Sequence, residues 1–250
     1  MKIIFIHIAK NCGNSIKRLL SKEEHLELCD CFKLFHTNNK LLDYENKFLD
    51  LTSFFKFTII RNPWDRLVSY YTHKKDYLNS KIKFRELLEN KYNSKIEDIN
   101  DINIISELKN FKGLEYNDEY IKLLKKLDML QDRINEIKNN KNYDINKYEK
   151  LNKMNFKEFW LKNLNSLFLK NTQVKYLKCK NIKNKIDLIL RYENLNNDFM
   201  KLSEKLKINN KLEKKNYSKH KHYSEYYDDE IKEILYPYIK EDLDYFNYKF

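Results

Sequence analysis

Glycine is almost missing from this chain, which has two in 250 residues. The loops that wrap nucleoside triphosphates follow the order G-x-x-x-x-G-K-[ST]. The short segment around Gly13 does not, because its lysine, Lys10, precedes the glycine. A triphosphate loop of that type is therefore excluded. A chain that uses glycine so rarely has a local reason to keep Gly13, since glycine lets other groups approach the backbone closely.

The chain also has few cysteines and no long apolar run. Its four cysteines include one C-x-C pair, and the other two lie far from it, so the second closely spaced pair of a zinc site is missing. We expect reduced, structural thiols rather than a disulfide framework. No run approaches the roughly 20 apolar residues of a membrane-spanning helix, and the first residues lack the pattern of a secretory signal. These features predict a soluble, cytoplasmic protein without a membrane span.

Positive charge is what the chain has in excess. Lysine and arginine number 49 against 37 aspartates and glutamates, which gives a formal net charge of +12. This excess predicts an anionic partner, and charge alone leaves nucleic acid, nucleotide, acidic glycan and membrane surface open. Hydrophobic residues make up 42% of the chain and aromatic residues 14%, which at this length predicts one folded domain over residues 1–250.

Short apolar runs alternate with helix-like periods over most of the chain. Such alternation predicts an α/β fold with a mainly parallel sheet flanked by helices. Strands are predicted over residues 2–8, 28–35, 54–60 and 186–190, and helices over residues 15–28, from Pro63 onward and from Leu195 onward. Residues 77–155 have helical periodicity without strand signals and are predicted to form a helical insertion. The apolar repeat between residues 121 and 137 fits either a coiled-coil seam or an ordinary amphipathic helix.

Two strand–turn–helix segments carry the candidate chemistry. In the first, residues 9–15 read AKNCGNS between a predicted strand and a predicted helix. The backbone N–H groups and the helix N-terminus of such a turn attract an anion, and Lys10 adds a full positive charge. The second, RNPWDRLVSYY, also follows a predicted strand. There Asn62 can cap the helix, Pro63 suits its first position, and Asp65 stands where a capping-box acid does.

Together these segments resemble the sulfotransferases that use 3′-phosphoadenosine 5′-phosphosulfate (PAPS), in particular their carbohydrate branch. In that family a strand followed by K-T-G-G-T-S binds the 5′-phosphosulfate. A second strand followed by R-[DN]-P-x-x-R-x-x-S-x-Y binds the 3′-phosphate through its arginine and serine. The segment RYENL at residues 191–195 is similar to the family's R-[FY]-E-x-L, and residues 226–248 are similar to its tyrosine-rich C-terminal helix. The resemblance implies a P-loop-like α/β fold and a sulfotransferase.

The resemblance also assigns cofactor-binding residues. Asn11, Cys12 and Asn14 stand where the family has Thr, Gly and Thr. Asparagine can donate to a phosphate as threonine does, whereas Cys12 puts a side chain where the backbone approaches the cofactor. We expect Gly13 to be kept because the turn around the phosphosulfate leaves no room for a Cβ. The cofactor-binding residues predicted in this way are Lys10, Asn11, Cys12, Gly13, Asn14, Ser15, Arg61 and Ser69.

The reaction implied by the resemblance is an in-line attack of an acceptor hydroxyl on sulfur. Adenosine 3′,5′-bisphosphate leaves, and Lys10 stabilises the charge on its phosphate. His36 is the candidate base, because related glycan sulfotransferases carry a histidine between the two cofactor motifs. Glu193 is the second candidate for the base, or it organises the loop. The expected acceptor is a carbohydrate, such as an acidic glycan, or another hydroxyl compound, and neither nucleic acid nor a metal ion is expected to take part.

Two other functions stay open on the sequence. A P-loop-like nucleotide kinase also binds phosphate at a strand–helix turn, although the order of Lys10 and Gly13 and the lack of clustered Mg²⁺ ligands count against it. A non-catalytic basic module on a decayed sulfotransferase fold would account for Cys12. The basic run at residues 211–223 reads either as a solvated face or as a mobile loop that closes over the cofactor.

Overall fold

The described strands of this protein form a parallel sheet. A computed structural model describes residues 1–20, 23, 27–28, 51–92, 145–209, 212 and 220–250. Within these ranges the strands are β1 (Lys2–Ile6), β2 (Glu27–Leu28), β3 (Phe55–Ile60) and β4 (Leu188–Arg191). They form one sheet in the order β2-β1-β3-β4, and each neighbouring pair is parallel. Parallel neighbours need crossover connections, as the predicted alternation of strands and helices provides.

The helices of the described ranges follow the strands in chain order. They are α1 (Gly13–Leu20), α2 (Pro63–Tyr92), α3 (Ile145–Lys153), α4 (Phe156–Lys162), α5 (Leu167–Lys170), α6 (Gln173–Leu177), α7 (Leu195–Leu206) and α8 (Asp229–Phe246). Short 3₁₀ turns lie at Ile182–Asn184, Tyr192–Asn194 and Tyr223–Tyr226. No helix in the described part of the chain is long and apolar enough to cross a membrane.

The buried side chains of β1 alternate between two cores. Ile3 and Phe5 pack with one cluster, which includes apolar residues of α1 and α7. Ile4 and Ile6 pack with the other cluster, which includes residues of α6 and α8. Because successive strand residues point to opposite faces of a sheet, a strand buried on every residue must have cover on both faces. Helices therefore flank the sheet on both sides, which confirms the predicted fold class.

The chain divides into two compact units. One consists of residues 1–73 and 155–250, and contains the whole sheet. The other consists of residues 74–154, of which residues 74–92 and 145–154 are described and are largely helical. Most of the predicted insertion lies outside the described residues, including the apolar repeat between 121 and 137, so the structure of that part stays a prediction.

Several element boundaries differ from those predicted. Strand β1 ends at Ile6 rather than at residue 8, and β3 begins at Phe55 rather than at residue 54. The helix predicted over residues 15–28 is α1, and it begins at Gly13 and ends at Leu20. Leu28 belongs to the strand that was predicted over residues 28–35, because the backbone of Glu27–Leu28 pairs with Lys2 and Ile3 of β1. Residues 29–35 lie outside the described residues. The strand predicted at 186–190 is β4, shifted by one or two residues. Local periodicity cannot place such boundaries, since a strand ends where its partner stops offering hydrogen bonds.

Other local predictions hold. Helix α2 begins at Pro63 as predicted, and Asn62 caps it, since the Asn62 side chain accepts a hydrogen bond from the Trp64 N–H at 3.0 Å. Of the cysteines, Cys12 and Cys179 are described, and neither forms a disulfide. Cys29 and Cys31 lie outside the described residues.

Candidate active site

The two motifs meet at the carboxyl ends of neighbouring parallel strands. Strands β1 and β3 pair in register from Ile3 with Phe55 to Ile6 with Thr58, so the segments that follow them start side by side. Arg61 Nη1 donates to the carbonyl oxygen of Lys10 at 3.0 Å. Arg66 Nε donates to the carbonyl oxygen of Ala9 at 3.1 Å. Both arginines of the second motif therefore hold the loop of the first.

The loop between β1 and α1 uses two left-handed residues. Lys10 has a φ of 74° and Cys12 a φ of 63°. The carbonyl of Cys12 accepts from the N–H groups of Ser15 and Ile16 and so starts α1. A residue with a Cβ pays roughly 1–2 kcal/mol for this backbone conformation. Position 12 therefore suits the glycine that the resembling family has there, and the Cys12 side chain turns toward the core cluster beside α1.

Gly13 is required by a neighbour within the protein. A Cβ built on Gly13 lies 1.9 Å from both Cδ2 and Nε2 of His7. Real Cβ atoms essentially never approach closer than 3.0 Å, so any other residue forces a shift. Exclusion of a Cβ by the cofactor stays a prediction, and the imidazole ring is a separate reason for glycine at this position.

The ring under Gly13 is neutral. Burial, together with the smaller effect of the positive charge of Lys17, lowers the pKa of His7 from 6.5 to about 4. An uncharged ring costs less to bury than an imidazolium ion does. His7 is thus a packing residue beneath the loop.

Asn11 turns its side chain into the protein. The residue is 1% exposed, and its Nδ2 donates to the carbonyl of Ile59 at 2.8 Å and to Oε1 of Gln173 at 2.7 Å. Both N–H groups of the amide are used in this way. The predicted donation from this side chain to a phosphate would need those bonds to break. Asn14, by contrast, is exposed at the first turn of α1.

Gln173 completes the end of β3, and no sequence pattern pointed to it. This residue is fully buried. Its Nε2 donates to the carbonyl of Arg61 at 2.8 Å, and its Oε1 accepts from the N–H of Arg61 at 3.0 Å. The amide thus pairs with the Arg61 backbone as a residue of a neighbouring strand would. It holds Asn11 and Arg61, one from each motif, against each other.

Asp242 of α8 fixes Gln173 in turn. Its carboxylate accepts from the backbone N–H of Gln173 at 2.8 Å and from that of Val174 at 2.9 Å, at the start of α6. Burial raises the pKa of Asp242, while Arg66 and these N–H groups act in the opposite direction. Desolvation is the larger effect here, and the three partners are what allow a carboxylate to be buried.

The guanidinium of Arg61 is buried, and only some of its N–H groups have partners among the described residues. The residue is 4% exposed, and its Nε donates to Asp65 at 2.7 Å. The ring of Tyr192 covers one face of the guanidinium at 4.1 Å. Including the contacts to Lys10 and His220, three of its five N–H groups point at partners in the described part of the chain. The other two N–H groups have no partner among the described residues.

Asp65 pairs with Arg61 because another residue takes its predicted capping role. The N–H of Asn62, which a capping-box acid would receive, donates instead to Oε1 of Glu193. The second oxygen of Glu193 accepts from the hydroxyl of Tyr248 at 2.9 Å. Of the two roles left open for Glu193, organising the loop is the one that these contacts support.

Of the remaining predicted site residues, Ser69 and Ser15 are described and His36 is not. Ser69 is 2% exposed and lies four residues after Asp65, on the same face of α2. Ser15 is 5% exposed at the start of α1. His36 lies outside the described residues, so its role as the base stays a prediction, as do the ligand roles of the loop residues.

The C-terminal segment, residues 220–227, contacts the Arg61 motif, and the sequence did not predict this contact. His220 Nε2 lies 3.4 Å from Nη2 of Arg61 and 3.9 Å from Oδ1 of Asp65. Nearby, the hydroxyl of Tyr227 donates to the carbonyl of Trp64 at 2.8 Å. The described end of the basic run is therefore packed on the start of α2.

Comparison with known proteins agrees with this geometry. The profile of a family described as the Sulfotransferase family matches residues 1–249. No curated protein and no solved structure matches the chain significantly. The match covers both motifs, the strands that precede them and the C-terminal segment.

Proposed function

Because the chain belongs to the sulfotransferase family, we propose that it moves a sulfuryl group from PAPS to a hydroxyl group of a carbohydrate acceptor. Membership of the family implies a PAPS-dependent enzyme. The carbohydrate acceptor goes beyond what family membership implies. It is supported by the two motifs of the carbohydrate branch and by the net charge of +12, which favours anionic glycans.

The observation that carries the proposal is the bond between Arg61 Nη1 and the carbonyl of Lys10. It joins the segment expected to bind the 5′-phosphosulfate to the segment expected to bind the 3′-phosphate. A nucleotide with phosphates at both positions needs two anion sites a fixed distance apart. Joining the segments through a buried arginine gives that distance without reorganisation on binding.

The residues present suit such a nucleotide. The N-terminus of α1 and the charge of Lys10 favour one anionic group, and the two remaining N–H groups of Arg61 favour another. Ser69 stands on the same helix face as Asp65, the residue that pairs with Arg61. Bound PAPS would supply an activated sulfuryl group with adenosine 3′,5′-bisphosphate as the leaving group.

The chain's own residues contribute charge and proton transfer. Lys10 stabilises negative charge that grows on the leaving phosphate, and its position beside the helix N-terminus adds to that effect. A base must hold the proton of the acceptor hydroxyl, and His36 is the residue that we propose for it. Glu193 holds Asn62 and Tyr248 instead.

The test is transfer of radiolabelled sulfur from PAPS to a panel of neutral and acidic glycans, with a phenol and a simple alcohol as non-sugar acceptors. We expect labelled glycan and adenosine 3′,5′-bisphosphate in equal amounts. Arg61→Ala should abolish transfer, whereas Arg18→Ala, at an exposed arginine of α1, should leave it intact. Label on the phenol alone would refute a carbohydrate acceptor, and bisphosphate binding without transfer to any acceptor would favour the non-catalytic alternative.

A further inference from the structure

His220 is a titratable side chain in direct contact with the arginine proposed to bind the 3′-phosphate. Its side chain is 11% exposed. All its partners in the described structure are known: Nη2 of Arg61, Oδ1 of Asp65, the carbonyl of Lys221, and the ring of Tyr226, whose centroid lies 6.4 Å away.

The contacts of His220 select one tautomer of the neutral ring. Its Nδ1 lies 2.7 Å from the carbonyl oxygen of Lys221. A carbonyl can only accept, so Nδ1 carries the hydrogen. In the neutral ring Nε2 is then an acceptor, and it faces Nη2 of Arg61, which can only donate. The lone pair of Nε2 therefore occupies one N–H group of the arginine.

We propose that His220 is a third contact for the 3′-phosphate and that it takes up a proton from solvent as the phosphate binds. This inference rests on the proposed function. Protonation turns Nε2 from an acceptor into a donor, so that its N–H can bind a phosphate oxygen. The same change releases the N–H of Arg61 that Nε2 had accepted, and that group becomes available to the phosphate as well.

The local charges explain why proton and phosphate bind together. Without ligand, the charges of Arg61 and Asp65 offset each other, and a proton on His220 adds a second cation beside the guanidinium. A phosphate monoester at this place adds nearly two negative charges. Those charges favour the imidazolium form. By linkage, bound phosphate raises the proton affinity of His220 by a certain factor, and protonation of His220 raises the phosphate affinity by the same factor.

The experiment measures proton uptake by calorimetry, with adenosine 3′,5′-bisphosphate and adenosine 5′-phosphate as ligands. Each titration is done at pH 7.5 in two buffers of different ionisation enthalpy, because the difference in heat gives the protons exchanged. At that pH a free phosphate monoester is already mostly dianionic. The proteins are wild type, His220→Gln and, as a matched control, His222→Gln, whose exposed ring bonds Ser224 at 2.7 Å.

For wild type and His222→Gln we expect more proton uptake with the bisphosphate than with the 5′-phosphate. In His220→Gln this excess should vanish and bisphosphate binding should weaken about tenfold, with 5′-phosphate binding unchanged. An unchanged excess in His220→Gln would overturn the inference alone. If wild type does not bind the bisphosphate at all, both the proposed function and this inference fail.

A measurement on wild type keeps the inference testable if His220→Gln does not fold. The ratio of bisphosphate to 5′-phosphate affinity should rise as the pH falls from 8 to 6.5. Protonation of the ligand's own 3′-phosphate would change the ratio in the opposite direction. A ratio that is constant or falls over this range would overturn the inference.

Discussion

Replacing Gly13 with alanine should test directly whether His7 is what keeps a glycine at this position. The added Cβ would lie 1.9 Å from two ring atoms of His7, so one group must move by about 1 Å or more to restore a normal contact. The ring has little freedom to move, because it is half-buried beneath the loop and lies beside Phe5, with ring centroids 5.9 Å apart.

The expected magnitude follows from two opposing effects. Overpacking of a buried site costs about 1–3 kcal/mol, and a distance of only 1.9 Å between the added Cβ and the His7 ring places Gly13→Ala at the upper end of that range. Alanine regains about 0.5–1 kcal/mol over glycine within a helix, and less at the first residue of α1. The net loss in wild type should be about 2 kcal/mol. In a His7→Ala background the clash is gone, and Gly13→Ala should be neutral or slightly stabilising.

The assay is urea unfolding followed by tryptophan fluorescence. Trp64 and Trp160 are both buried, and both belong to the unit of residues 1–73 and 155–250 that contains His7 and Gly13. The double-mutant cycle should give a coupling free energy of about 2 kcal/mol. Asn14→Ala, at the exposed neighbouring position, is the control and should change stability by less than about 0.5 kcal/mol. Equal losses for Gly13→Ala with and without the His7 ring would refute the reasoning.

Three further predictions concern pH, the end of β3 and the base. Because the pKa of His7 is about 4 in the folded protein and 6.5 without that environment, the unfolded chain binds the extra proton between these values. The free energy of unfolding should therefore fall by up to about 3 kcal/mol as the pH drops from 7 to 4. Urea unfolding of His7→Asn should show a smaller fall over this range, because the variant lacks the imidazole. The same pH dependence in wild type and His7→Asn would contradict this prediction. Gln173→Leu leaves the Arg61 N–H and carbonyl without their partner, and should lower the free energy of unfolding by about 2–5 kcal/mol; a loss below about 1 kcal/mol would show that water replaces the amide. His36→Ala should lower turnover of PAPS by about 10²–10⁴-fold with little change in bisphosphate affinity, and near-normal turnover would move the search for the base elsewhere.

Local chemistry was enough to predict the strand–turn–helix segments and their order. Pro63 starts α2 and Asn62 caps it, since both act through the backbone within two residues. Buried strands read as short apolar runs, so β1 and β3 were recognised within one or two residues of their ends. Parallel pairing then followed from the alternation with helices. The resemblance to sulfotransferases rested on these same local patterns.

What the turn residues contact was decided by the tertiary structure. Gly13 was singled out from its rarity, but the ring that excludes a Cβ there belongs to His7, at the other side of the loop. Asp65 fits the spacing of a capping-box acid, yet Glu193, 131 residues from Asn62, takes that N–H. Asp65 is then available to pair with Arg61 at 2.7 Å.

The site also depends on contacts of residues far apart in the chain, and the sequence did not predict these contacts. Gln173 is 112 residues from Arg61, and His220 is 159 residues from it, yet each lies within hydrogen-bond distance of that arginine. A helix period or a cap is a relation between residues a few positions apart, so it can be read from the chain. A buried amide that pairs with a strand end depends on how whole helices pack on the sheet, and only the folded chain determines that.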